Sequence, residues 1–68
     1  MTTQEKIAKN LKYVRDQKRM TQEDVAKKAK ISTNYYSRIE RCDAVPTITT
    51  LEQIVKALGV KSSEILPF

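Results

Sequence analysis

The chain has no histidine, no tryptophan, one cysteine, one glycine and two prolines. Each shortage closes off a class of function. One thiol forms no intrachain disulfide, and without histidine a structural zinc site has too few ligands, so no metal is expected. No glycine-rich phosphate loop, paired-carboxylate motif or nucleophile beside a base occurs. Nothing therefore points to an enzyme, a cofactor or a small-molecule ligand. No apolar run approaches the ~20 residues that span a bilayer, and the N-terminus is polar rather than signal-like. The expected compartment is a reducing cytoplasm. Scarce glycine and proline beside 40% hydrophobic residues fit an all-α protein. Its 68 residues predict a single domain, 1–68. So small a domain buries little surface, and helix packing, aided by dimerisation, is expected to hold it together.

The net charge of +5 is unevenly placed. Residues 1–41 carry eleven Lys and Arg against five Asp and Glu, a net of +6, whereas residues 42–68 carry two against three, a net of −1. A polyanion facing the first part is the direct electrostatic inference. Charge alone would equally suit a solvated basic surface, and the helical pattern decides between them. A membrane-surface basic helix fits poorly, because the first helix lacks Trp and Phe and needs its apolar face for the core.

That pattern is densest at residues 21–41, TQEDVAKKAKISTNYYSRIER. Thr21 with Asp24 three residues on resembles a capping box, and Gln22, Glu23 and Asp24 fill the dipole-favoured first turn. Val25, Ala26 and Ala29 form an apolar stripe at helical spacing. Ser32 offers a fresh N-cap, Tyr36 and Ile39 repeat the stripe, and Arg38 and Arg41 load the C-terminal end with positive charge. Two short helices joined by a tight turn are the layout of a helix-turn-helix. Elsewhere, Ile7, Ala8, Leu11 and Val14 mark the buried face of a first helix from Thr3 to about Gln17. Cys42 to Pro46 reads as a loop. Thr47 caps a fourth helix, with Thr49 and Glu52 a competing capping box, Leu51, Ile54, Val55 and Leu58 its core face and Gly59 its stop. Ser62 is expected to cap a last short turn, Ser63 to Leu66, ended by Pro67. The expected fold is a compact bundle of five short helices.

The ordered residues resemble the Xre/Cro-type, lambda-repressor-like helix-turn-helix family. Met20-Thr21-Gln22-Glu23-Asp24-Val25-Ala26 and Tyr35-Tyr36-Ser37-Arg38-Ile39-Glu40-Arg41 carry the likeness. Pro46-Thr47-Ile48-x-Thr50-Leu51 and Ile54-Val55-x-Ala57-Leu58-Gly59-Val60 match the family's fourth helix. The likeness runs from about Ile7 to Leu66. Lys30 and Cys42 depart from it, standing where such proteins commonly carry glycine. A positive φ at either would cost about 1 kcal/mol or more.

The resemblance implies double-stranded DNA as partner, with Thr33, Asn34 and Arg38 as base contacts. Ser32 joins them at the start of the second helix of the motif, which enters the major groove. Asn pairs bidentately with adenine and Arg with guanine, while a Thr methyl meets a thymine methyl. The same residues would also serve as a capping cluster with a solvated Arg. Gln22 matches a family residue that binds a phosphate beside a helix N-terminus. Tyr35, read as facing outward, is a further phosphate candidate, with Ser37 and Arg41 behind it. Tyr36 matches a packed position. The family pairs the positions of Arg15 and Glu40 across the fold, a structural tie rather than a reader. Cys42, without partner thiol or histidine, reads as structural.

The function expected is that of a sequence-specific transcriptional regulator, acting as a homodimer on a palindromic operator. Phage repressors, restriction-modification controllers and mobile-element regulators are the settings implied. The expected dimer surface is the C-terminal part, helix 4 to Phe68, through exposed Leu66 and Phe68 with Val60 or Val45. The alternative is an antitoxin-like interaction module whose main partner is another protein.

Overall fold

Four α-helices account for most of the chain: α1 (Thr3–Gln17), α2 (Gln22–Ala29), α3 (Thr33–Glu40) and α4 (Ile48–Leu58). A 3-10 turn, Ser62–Glu64, follows, and the computed structural model describes residues 1–68 throughout. Each α-helix begins on a hydroxyl side chain. Thr2, Thr21, Ser32 and Thr47 accept from the backbone N–H of Glu5, Asp24, Tyr35 and Thr50 respectively. Such caps satisfy amides that a helix start leaves orphaned. At α1 and α2 the bond is reciprocal, since Glu5 and Asp24 accept from the N–H of Thr2 and Thr21. The T-x-x-D box at Thr21 is the one expected from the sequence; the T-x-x-E box at Thr2 is an addition from the structure. The competing box at Thr49 does not form, because Thr47 holds the cap of α4.

All four helices stop in the same way. One residue turns left-handed: Arg19 (φ 56°), Lys30 (φ 61°), Cys42 (φ 62°) and Gly59 (φ 69°). The amide after it reaches back five residues. Met20, Ile31, Asp43 and Val60 donate to the carbonyls of Arg15, Ala26, Arg38 and Val55 at 3.1, 3.0, 2.8 and 3.5 Å. This is the Schellman arrangement, which normally carries glycine at the left-handed residue. Three of the four ends here do without it. Lys30 and Cys42 are the two places where glycine was expected, and Arg19 is a third. Met20, Ile31 and Val60 then fold against the core, the apolar contact that accompanies this motif.

That core comprises Leu11 and Val14 of α1, Val25, Ala26 and Ala29 of α2, Tyr36 and Ile39 of α3, Ile54, Val55 and Leu58 of α4, and Ile65. Helix α2 lies between α3 and α4, and α1 closes against α3. The end of the chain is drawn in rather than left loose. Ile65 is fully buried, and Asn10 of α1 donates from Nδ2 to its carbonyl at 2.8 Å.

The expected fifth helix is therefore a correction: the molecule has four helices and a single 3-10 turn. Ser62 does not cap that turn. It begins after Lys61, whose amide is accepted by the Glu64 carboxylate at 3.1 Å. Only one i→i−4 bond forms, from the Leu66 amide to the Ser62 carbonyl at 2.8 Å, and Pro67, which has no N–H, cannot extend it. No helix is long and apolar enough to cross a membrane.

Candidate nucleic-acid interface

Helix α3 has two faces that its sequence fixes. At about 100° per residue, Thr33, Ser37, Arg41, Asn34 and Arg38 fall on one arc of about 140°. Tyr35, Ile39, Tyr36 and Glu40 fall on the other. The structure follows this division. Thr33, Asn34, Arg38 and Arg41 are exposed and Ser37 half-buried, while Tyr36 and Ile39 are buried. Tyr35 is a correction: it was expected to face outward, but it is half-buried and packs against the core, as its place on the inner arc requires.

The outer arc is partly organised. Ser32 is exposed, and its Oγ accepts from the Tyr35 amide at 3.0 Å, leaving its O–H free to donate. Thr33 and Asn34 stand beside it at the mouth of the helix. Arg41 donates from Nη1 to Ser37 Oγ at 3.0 Å and from Nε to Asp43 Oδ2 at 3.3 Å. Arg38 donates from Nη2 to the Asp43 carbonyl at 3.2 Å. Asp43 thus gathers both guanidiniums, a role that the sequence reading did not assign. Its signal was an acid placed directly after the basic end of the helix.

Behind this face lies a buried polar cluster. Arg15 donates from Nε to Glu40 Oε2 at 2.8 Å and from Nη2 to Oε1 at 3.2 Å, a bidentate pair. Its Nη1 donates to the Met20 carbonyl at 2.9 Å. The side chains are 13% and 4% exposed, so the pair is nearly dry. Gln22, the first residue of α2, donates from Nε2 to Glu40 Oε1 at 3.0 Å. The sequence reading treated Gln22 and Glu40 separately, and the structure joins them. Burial pushes the Glu40 carboxyl up. The hydrogen bonds from Arg15 and Gln22, with the Tyr36 hydroxyl close by, outweigh it, and its pKa lies below the ordinary 4.5. The same hydrogen bond to Glu40 raises Arg15 against the opposing effect of burial. Tyr36 completes the cluster. Its hydroxyl is buried without a well-formed hydrogen bond, and burial first, then the neighbouring Glu40 carboxylate, hold the phenol far above its usual range. At the exposed edge, Asp24 lies below its ordinary value because the Thr21 amide and hydroxyl bond its charged form.

The C-terminal part presents a different surface. Val45, Ile48 and Phe68 are 69%, 88% and 86% exposed. Leu51, Val55 and Leu66 line a depression of about 360 Å³ that opens beside Ile48. Two expectations change here. Leu66 and Val60 are half-buried rather than exposed, because the final turn folds them toward the core. Ile48, not anticipated, is the most exposed large apolar side chain.

With this geometry in place, the helix-turn-helix family model HTH_3 matches residues 11–65. The chain belongs to the helix-turn-helix family. It is 35% identical over 60 residues to the immunity repressor protein of Bacillus phage phi105, covering 88% of this chain but 42% of that one. The chain thus spans less than half of that repressor's length. It is equally similar, at 35% over 60 residues, to the HTH-type transcriptional regulator y4dJ of Sinorhizobium fredii (strain NBRC 101917 / NGR234), covering 88% of this chain and 78% of the regulator. Among solved structures it resembles the restriction-modification controller protein C.Esp1396I bound to a 19 base pair DNA duplex. The TM-score is 0.87 at 38% identity, over 93% of this chain and 84% of the controller.

Proposed function

We propose that this helix-turn-helix protein is a sequence-specific DNA-binding transcriptional regulator that acts as a homodimer on a palindromic operator, in the cytoplasm and without enzymatic activity. The observation that carries the reading is the outer arc of α3. Thr33, Asn34 and Arg38 stand exposed on one side of a helix whose other side is locked into the core. A helix so held can enter a major groove with its N-terminal residues against base edges. On this reading Ser32, Thr33, Asn34 and Arg38 contact bases. Gln22, Ser37 and Arg41 contact phosphates, with half-buried Tyr35 a further candidate. Residues 1–68 act as one domain. The controller protein's complex with a duplex supports double-stranded DNA as the partner. The second copy is held through α4 to Phe68, where apolar side chains lie open to solvent.

The test is binding to duplexes selected from random DNA, followed across salt concentration. A dimer neutralising roughly six to ten phosphates loses on the order of 10³–10⁵ in affinity between 50 and 200 mM salt. A flat response, or no duplex recovered, overturns the reading in favour of a module that binds another protein.

A further inference from the structure

The side chains of Gln22 and Glu40 are bonded to each other across α2 and α3. A primary amide has two N–H groups and one carbonyl oxygen. A carboxylate is acceptor-only when ionised, so only the NH₂ end of Gln22 can face Glu40. The 3.0 Å contact from Nε2 to Oε1 therefore fixes which way the amide is turned. One N–H points inward. The second, on the same planar nitrogen, points away from the carboxylate on half-buried Gln22 at the start of α2. Glu40 is itself tied down. Its side chain is 4% exposed and its carboxylate accepts two bonds from Arg15, and Arg15 is anchored in turn on the Met20 carbonyl. A long, flexible Gln side chain normally loses rotamer freedom on binding. A bond to Glu40 made without DNA shifts part of that loss to the free protein.

We propose that Glu40 is a positioning residue for DNA-backbone contact: it orients the Gln22 carboxamide so that one immobilised N–H is presented to a phosphate oxygen. This rests on the DNA-binding reading above. Arg15 holds Glu40 in place and offsets its charge, so the carboxylate does not repel the phosphate that Gln22 meets. Glu40 touches no DNA itself.

Two measurements test it. The first uses the unaltered free protein: side-chain ¹⁵N relaxation of its glutamines. The Gln22 amide is expected to be as ordered as the backbone, while exposed Gln53 is mobile. A Gln22 amide as mobile as that of Gln53 overturns the proposal. The second is a binding cycle on the selected duplex, at a temperature where every variant is folded. Gln22→Ala lowers affinity about tenfold in the unaltered background, the scale of one hydrogen bond to a charged group. In a Glu40→Met background, which removes the acceptor, the same change costs about threefold or less, because an unheld Gln22 contributes little. In an Arg15→Lys background, which disturbs the ion pair but leaves the carboxylate acceptor, it again costs about tenfold. A merely structural Glu40 would make the two backgrounds alike, and that result overturns the proposal. Absence of any duplex binding by the unaltered protein removes the DNA reading and this role together. Binding with additive effects removes the positioning role alone.

Discussion

Residues 1–41 and residues 42–68 expose opposite kinds of surface. The first part has a net charge of +6, and its polar face on α3 is backed by a buried ion pair. The second is close to neutral, has no buried ion pair, and leaves Val45, Ile48 and Phe68 open to solvent. A surface of cations and hydrogen-bond donors suits a polyanion, whose counterions it can release. An exposed apolar patch suits a second protein surface. The contrast implies that the two parts fail differently. Damage to the first changes what is bound and how strongly salt affects it, while damage to the second changes how many copies act together.

The largest expected loss of stability lies in the first part. The Glu40 side chain is 4% exposed, so removing Arg15 strands a carboxylate, while removing Glu40 leaves Arg15, at 13%, with only the exposed Asp16 as an acid, at 3.5 Å. Arg15→Ala and Glu40→Ala should each destabilise by about 2–4 kcal/mol, with the double variant costing less than the sum. For a domain this small that is a large share of the total. The pair also sets an acid response. Because the Glu40 pKa is lowered in the folded state, its contribution is fully present above the ordinary 4.5 and is lost as pH falls through the depressed folded value. Glu40→Gln should flatten that part of the stability curve below about pH 4.5. Thermal melts of both singles and the double across pH decide it. Additive, sub-kcal effects would mean that the two charges contribute no more than a surface pair does.

The second prediction separates reading from holding. Arg38→Ala should cost about 1–3 kcal/mol on the selected site and relax base preference at one position per half-site. Gln22→Ala should weaken all sequences alike. An unchanged site preference for Arg38→Ala would place the reading helix wrongly.

The third carries the contrast to the other part. Ile48→Glu should weaken self-association about tenfold or more, roughly 1.4 kcal/mol, by placing a charge in the apolar patch. The fold should survive, since an acid in the first turn of α4 is favoured by the helix dipole. Sedimentation as a function of concentration reads the effect. Unchanged association would move the dimer surface elsewhere.

How much of this was legible in the chain follows from what kind of interaction decides each feature. The starts of α2, α3 and α4 were readable because a Thr or Ser cap acts within three residues, and these helices begin where Thr21, Ser32 and Thr47 stand. The apolar stripes of α1 and α4 were readable because their period is local. The inner placement of Tyr35 follows from the helical wheel, which outweighs the pull of its polar hydroxyl toward solvent. The bond between Gln22 and Glu40 joins residues 18 apart through the crossing of α2 and α3, and no local signal carries it. The exposure of Ile48 also depends on how α4 packs, and an isoleucine at a helix start looks like core in sequence.

The smallest effect concerns the helix ends. Lys30 ends α2 with φ 61° and ψ 40°, and Gly59 ends α4 with φ 69° and ψ 33°. The two positions share one backbone shape but differ in side chain. A Cβ in this region costs about 1–2 kcal/mol, offset in part by the smaller unfolded-state entropy of a non-glycine residue. Gly59→Ala should therefore destabilise by about 1 kcal/mol. An added Cβ there meets nothing within 4 Å, so backbone strain is the whole of that cost. Lys30→Gly should do the reverse and stabilise by about 0.5–1 kcal/mol. Lys30 also sits at the negative end of the α2 dipole, so its charge contributes a few tenths of a kcal/mol. Lys30→Ala separates the two contributions, because it keeps the Cβ and removes the charge. Urea midpoints ordered Lys30→Gly above the unaltered protein, and that above Lys30→Ala, would establish that strain outweighs charge at this turn. If Lys30→Gly instead melts first, the packing of Ile31 behind it, rather than the left-handed residue itself, governs how α2 hands the chain to α3.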